Sequence, residues 1–377
     1  MLDGGGSGTA AGLVYAFSVF PYVVFGLVAG VVGDRHRRRT ILWLSHATQI
    51  AAALVVPVWA LAGHPPLLIV LTAAFVIGTA RVFVDAAVFG AVAAIIGREN
   101  FVRGQSTLSA SWAVGLFAGP ALGGVLIALI GPAFALVAEA IGFMLAVILI
   151  LLIRRPLDAA DRGAREPAVE MAKEGLRVIR DTPRVRAYTW LSVTWNVGAA
   201  ASYALVVPLL RETIGLNSSQ AGIVLGVGAG IGLLVPPLLW RLVLRHGAGR
   251  VTTGATVISV GSILAMGVSP GFISVLISSS LRSLMDYTLL STIIGERQRG
   301  VPDRLQARVG ISGRMIAVAA IATGSVIGSL LADPFGIRAV YYVSAAAVAV
   351  AIVVAVPGVL RADRGTPQLS DSPDQTS

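Results

Sequence analysis

Apolar runs of roughly 18 to 30 residues recur along the chain between short polar connections, and each is long enough to cross about 30 Å of hydrocarbon as a helix. They cover residues 10–32, 40–62, 67–96, 105–130, 132–153, 186–210, 219–244, 251–268, 272–295, 307–331 and 337–360. Lipid offers the backbone no hydrogen-bond partners, so a spanning segment must satisfy its own N–H and C=O groups. The pattern predicts eleven transmembrane helices in an all-α polytopic membrane protein.

The connections alternate in charge. Every second one is rich in arginine: Arg35, Arg37, Arg38 and Arg39; Arg98 and Arg103; the stretch from Arg154 to Arg186; Arg245 and Arg250; Arg297, Arg299 and Arg304; Arg361 and Arg364. The intervening ones, such as "AGHPP" and "SPG", carry almost none, Arg211 and Arg338 excepted. Arginine-rich loops stay on the cytoplasmic side of a membrane. The expected topology is therefore an outside N-terminus and a cytoplasmic C-terminus, and the use of 28 Arg against one Lys points to a GC-rich bacterial genome and so to a bacterial plasma membrane.

Two stretches have the composition of water-exposed chain. Residues 154–185 divide an N-terminal bundle, 1–153, from a C-terminal bundle, 186–361, and the tail 362–377 is polar and expected to be disordered. Within the linker, "PAVEMAKEGLRVIRDTP" opens with Pro167 and puts Val169, Ala172, Leu176 and Ile179 on one helical face. A short amphipathic helix along the cytoplasmic surface is expected there.

The two bundles share a detail. "TARVFVD" in the third span and "SLRSLMD" in the ninth repeat one Arg-x-x-x-Asp arrangement, Arg81 with Asp85 and Arg282 with Asp286, 201 residues apart. Similar halves joined by a cytoplasmic loop are a transporter architecture with substrate bound between them near the midplane.

Composition agrees: 56% of residues are hydrophobic, 13% are charged, and mean hydropathy is +0.83. The net charge of +10 follows the loops, so it reads as topology and not as a nucleic-acid surface. There is no Cys, which excludes disulfides and thiolate chemistry, and four scattered His carry no metal-ligand spacing. No cofactor and no metal are expected. The absence of a Walker-type "GxxxxGK[ST]" stretch argues against ATP hydrolysis by this chain, and no converging His, Asp or Glu groups suggest an integral membrane enzyme.

The stretch "GVVGDRHRRR" resembles the loop motif of the major facilitator superfamily, Gly-x-x-x-Asp-Arg-x-Gly-Arg-Arg, with Gly30, Asp34, Arg35, Arg38 and Arg39 in place and Arg37 where the family has its second Gly. "GLFAGPALGG" resembles the superfamily's antiporter signature through Gly115, Gly119, Pro120, Gly123 and Gly124. "EGLRVIRDTP" is similar to the drug and siderophore exporters of that superfamily. The resemblance implies the major facilitator fold, two pseudo-symmetric helical bundles, with eleven helices instead of twelve. In the family the arginine loop follows the second helix; here it follows the first, so the first family helix is expected to be missing.

What the resemblance implies is a proton-coupled antiporter exporting small hydrophobic or amphipathic molecules by alternating access, acting as a monomer in the lipid bilayer. A non-transporting remnant of such an exporter stays open as the alternative. Asp34 would belong to a latch holding the halves closed, and Asp34→Asn should reduce transport with membrane insertion intact; normal transport by that variant would contradict the latch. Gly115, Gly119 and Gly123 would give a smooth helix face, kinked at Pro120. Intramembrane charges mark function because burying them costs energy. Arg81, Asp85, Arg282 and Asp286 are thus candidates for proton coupling or for simple mutual neutralisation, and Glu139 for coupling or for a bond to a neighbouring helix. Arg81 also matches an Arg of the family's fourth helix, followed here by Val84 and Asp85 in place of Gln-Gly. Trp112, Trp195 and Asn196 are candidates for the substrate cavity.

Overall fold

The computed structural model describes residues 8–96, 129–157, 168–231 and 235–364, with isolated helical positions between 111 and 127. Among them every regular element is a helix. We label them α1 (Gly8–Val19), α2 (Pro21–Arg35), α3 (Arg38–Ala62), α4 (Leu67–Ile96), α5 (Pro132–Leu152), α6 (Ala168–Asp181), α7 (Pro183–Tyr203), α8 (Ser218–Ile231), α9 (Val235–His246), α10 (Ala248–Val268), α11 (Phe272–Arg299), α12 (Asp303–Phe335), α13 (Ile337–Val354) and α14 (Val356–Arg364).

Six described helices are long and apolar enough to cross a membrane, and α7 with the turns after it, bent by 42°, makes a seventh. Four expected spans fall outside that count for different reasons. Residues 10–32 break at Phe20, where Pro21 starts a new helix and offers no N–H to the old one. The span 219–244 is divided between α8 and α9, and 105–130 lies mostly outside the described residues. Helix α11 is long enough but too polar.

That polarity shows how the sequence chooses its faces. Along α11, Ser278, Ser279, Arg282, Thr292 and Glu296 are buried, while Ile273, Ile277 and Leu290 are exposed. In α10, Thr252, Thr256, Ser259 and Ser262 point inward and Val257 and Leu264 outward. Lipid is as apolar as leucine, so helices associate through small and hydroxylated side chains and leave bulky apolar groups to the bilayer. Each buried Thr and most buried Ser satisfy their hydroxyls on a carbonyl of the preceding turn, as Thr252 does on Ala248 O at 2.7 Å.

In the N-terminal half α3 packs on α4 and α5, and α2 on α4, around Ile41, Leu42, Ala87, Ala91 and Leu157. In the C-terminal half α7 is enclosed by α12 and α13, with Tyr188, Leu191, Ile263, Leu289 and Tyr341 in the core. Gly324 and Gly328 let α12 lie directly on the backbone of α7, where added β-carbons would run into the carbonyls of Val197 and Ala201. Helix α1 joins the halves by packing on both α4 and α12. Glycines permit this too: Gly78 abuts the Ser18 backbone and Gly12 abuts Ser329.

The linker forms α6, which docks on the first turns of α12. Ser312 Oγ donates to Ala172 O at 3.0 Å, Glu174 pairs with Arg308, and Gly175 abuts the Arg308 carbonyl. Ala172 and Ile179 are buried there, but Leu176, expected on the same face, is 48% exposed. The buried stripe runs through Gly175 instead, because α6 packs against a helix backbone at close range.

Candidate functional site

Among the described residues, an ion pair joins the two halves. Asp85 of α4 accepts a hydrogen bond from Tyr22 of α2 at 2.6 Å and an ion-paired one from Arg314 of α12 at 2.8 Å. Asp85, Arg314 and Tyr22 lie eleven to thirteen residues from the arginine-side ends of their helices. At 1.5 Å per residue that is about 17–20 Å, near mid-membrane. Farther toward the opposite membrane face, Tyr15 of α1 and Tyr203 of α7, twenty residues from the arginine-side end of its helix, bring their rings to 5.9 Å, again one from each half. Tyr15 lies within electrostatic reach of both Arg81 of α4 and Arg282 of α11.

Identical spacing gives the two Arg-x-x-x-Asp pairs different fates. Arg282 donates to Asp286 at 3.3 Å, to Ser202 Oγ at 2.9 Å and to Ala199 O at 2.8 Å, and it is buried. Trp195 Nε1 and Ser259 Oγ face the remaining oxygen of Asp286 from α7 and α10 without reaching hydrogen-bond geometry. Arg81 is exposed, and Asp85 has turned to Arg314 in its place. Removing one member of a buried pair strands the other charge, so Arg282→Leu should cost about 3–5 kcal/mol, whereas Arg282→Leu combined with Asp286→Leu should recover most of it. Thermal melts of the purified variants check this, and a double variant no more stable than the single one would contradict it.

The other candidates scatter. Glu139 lies on an exposed part of α5, within reach of the charge of Arg81. Trp195 and Asn196 are buried in the C-terminal core, and the Asn196 amide donates within its own helix to Ser192 O at 2.7 Å. Trp112, Pro120 and Gly124 lie outside the described residues. Gly115, Gly119 and Gly123 are helical, and nothing within 4 Å would meet a β-carbon on any of them.

Arg38 and Arg39 of the loop motif bond to carbonyls at the end of α5 and just after it. Arg38 is buried and donates to Leu157 O at 3.2 Å; Arg39 donates to Ile153 O and, at 3.1 Å, to Arg155 O; Arg155 reaches Ile95 O at 3.4 Å. Carbonyls at helix C-termini carry the negative end of the dipole and attract cations. The cluster ties together the arginine-side ends of α3, α4 and α5. Gly30 lies on α2, which packs on α6 and α12; Arg35 is exposed at its end, and the Asp34 side chain lies outside the described residues.

Sequence reasoning missed Tyr15, Tyr22, Tyr203 and Arg314. Arg314 carried a usable signal, a cation seven residues inside a predicted span. The tyrosines carried none, since Tyr is equally common at membrane interfaces. Among the described residues no three metal-ligating side chains converge. The seam holds cations, carboxylates and phenols, which can bind a polar or aromatic solute and exchange protons.

Curated relatives include exporters. The enterobactin exporter EntS of Salmonella typhimurium (strain LT2) is 26% identical over 363 residues, covering 92% of this chain and 83% of that protein. EntS of Escherichia coli O81 is 25% identical over 306 residues, covering 78% and 71%. Among solved structures, the nucleoside transporter NupG superposes with a TM-score of 0.75 at 12% identity, over 94% of this chain and 91% of that one. A bacterial homologue of the iron transporter ferroportin, inward-facing, gives 0.72 at 17% identity, over 94% and 90%. These likenesses show the fold: two helical bundles of a membrane transporter. The sequence profile of the Major Facilitator Superfamily matches residues 2–309, and the chain belongs to that superfamily of small-molecule transporters.

Proposed function

We propose that the protein is a proton-coupled antiporter that exports small hydrophobic or amphipathic molecules, siderophores among them, from the bacterial cytoplasm by alternating access. The observation that carries this reading is the Asp85–Arg314 contact between the halves, with Tyr22 as the second donor. When the halves rock apart, an ionised Asp85 loses its cation, and an isolated carboxylate in a low-dielectric interior is costly. Taking a proton relieves that cost; returning the proton restores the pair and recloses the seam. Proton movement and exposure of the site are linked through one side chain.

Cargo class rests on two supports. The relatives are named as enterobactin exporters, and the seam offers tyrosine faces beside arginines, suited to aromatic or anionic groups on an amphipathic molecule. The "GLFAGPALGG" face agrees with an antiporter, and both halves lie in one chain, so a monomer suffices. The C-terminus lies in the cytoplasm on this reading.

Expression in a bacterium deleted for its own siderophore exporter tests the proposal. Secreted enterobactin should rise, and a protonophore should abolish the rise within minutes. Secretion that is unaffected by the protonophore would contradict proton coupling, and no secretion of enterobactin or of an amphipathic dye such as ethidium would contradict export.

A further inference from the structure

A groove of about 380 Å³ lies between α9, α10 and α11, away from the seam. Its walls are apolar, with Leu242, Ile258, Leu284 and Met285 among them, and Leu242 and Ile258 are exposed like the other lipid-facing side chains of these helices. His246 and Arg250 line it as well. They belong to the last residue of α9 and the first turn of α10, so they stand at the arginine-side rim. Both are exposed, as is neighbouring Arg245.

The dimensions fit one leaflet. From Ala248 to Ile258 α10 rises ten residues, about 15 Å, which is half of an approximately 30 Å hydrocarbon core. The charge is one-signed: between Glu212 and Asp286 the sequence contains no acidic residue, while Arg245, His246 and Arg250 cluster at the α9–α10 turn. Glu296 of α11, toward the same side, is held by Arg184 and Arg299. An apolar trough of leaflet depth with a basic rim and no competing carboxylate complements a molecule with an acyl chain and an anionic head.

We propose that this groove binds an anionic phospholipid of the arginine-side leaflet, its acyl chain lying against Leu242, Ile258 and Met285 and its phosphate between His246 and Arg250. The α10 N-terminus, with its positive dipole end, adds to the attraction. Basic side chains at the cytoplasmic surface each contribute appreciably to anionic-lipid affinity, and the apolar wall adds burial that a headgroup analogue cannot reproduce. The lipid would hold α9 against α10 and α11, which α9 touches only lightly.

The full chain in detergent, titrated with dioleoyl phosphatidylglycerol and with dioleoyl phosphatidylcholine, tests this by native mass spectrometry and thermal melting. Phosphatidylglycerol should give one saturable adduct and raise the melting temperature, and phosphatidylcholine should do neither. Arg250→Gln with His246→Gln should weaken the adduct about tenfold, while Arg241→Gln, on the same helix but outside the groove lining, leaves it unchanged. Met285→Trp should reduce binding by filling the trough with the rim intact. Equal binding of the two lipids, or an adduct as strong in the rim variant and the Met285→Trp variant as in the wild type, would overturn the proposal.

Discussion

Asp85→Asn is expected to lower gradient-driven export about tenfold or more while the protein still folds and inserts. The substitution keeps the shape and the Tyr22 contact but removes both the charge that Arg314 pairs with and the carboxyl proposed above to take the proton. Arg314 is 45% exposed at its side chain and Asp85 19%, so the pair is screened and its closing energy is modest, about 1–2 kcal/mol. That alone shifts the balance of open and closed seams about five- to thirtyfold. The larger loss comes from coupling, and Arg314→Gln separates the two effects. It loosens the seam to a similar degree but leaves the Asp85 carboxyl in place, so on the proposed mechanism its export should stay responsive to a pH gradient. Initial rates in vesicles with and without a gradient read both quantities. Equal gradient dependence of Asp85→Asn and wild type would remove Asp85 from the mechanism.

Gly324→Val and Gly328→Val should each prevent normal packing of the C-terminal half. Added side chains at these positions meet the carbonyl groups of Val197 and Ala201, which belong to a helix backbone and cannot rotate away. Overpacking a tight contact costs about 1–3 kcal/mol, and more where the neighbour is backbone. Gly119→Ala is the informative contrast, because no atom lies within 4 Å of the added carbon. Its stability should change by less than about 0.5 kcal/mol, so any effect on export would reflect the antiporter signature's role and not folding. Melting temperatures of the three purified variants check the contrast. A Gly328→Val protein as stable as wild type would show that α7 and α12 do not meet as described.

Span positions were largely legible, because a 20-residue apolar run has few other solutions in a bilayer. The break at Phe20 was also within reach, since Pro21 follows it directly. Side-chain partners were not. The spacing of Arg81 and Asp85 is that of Arg282 and Asp286, and spacing sees only neighbours on one helix. What separates the pairs is tertiary: Ser202 and the Ala199 carbonyl of α7 hold Arg282 over Asp286, whereas Arg81 is exposed and Asp85 meets a cation 229 residues away in sequence. Leu176 failed for a similar reason. Periodicity marks an apolar stripe, but whether a membrane or a close helix covers it decides which residues of that stripe are buried.

The most direct measurement is proton movement during transport. Purified protein in liposomes loaded with a pH-sensitive dye is given enterobactin on one side, and the internal pH is followed with and without cargo. Proton flux opposite to cargo, lost in Asp85→Asn while cargo exchange without a gradient persists, is the result this account predicts. Cargo flux with no accompanying proton movement in the wild-type protein would contradict it.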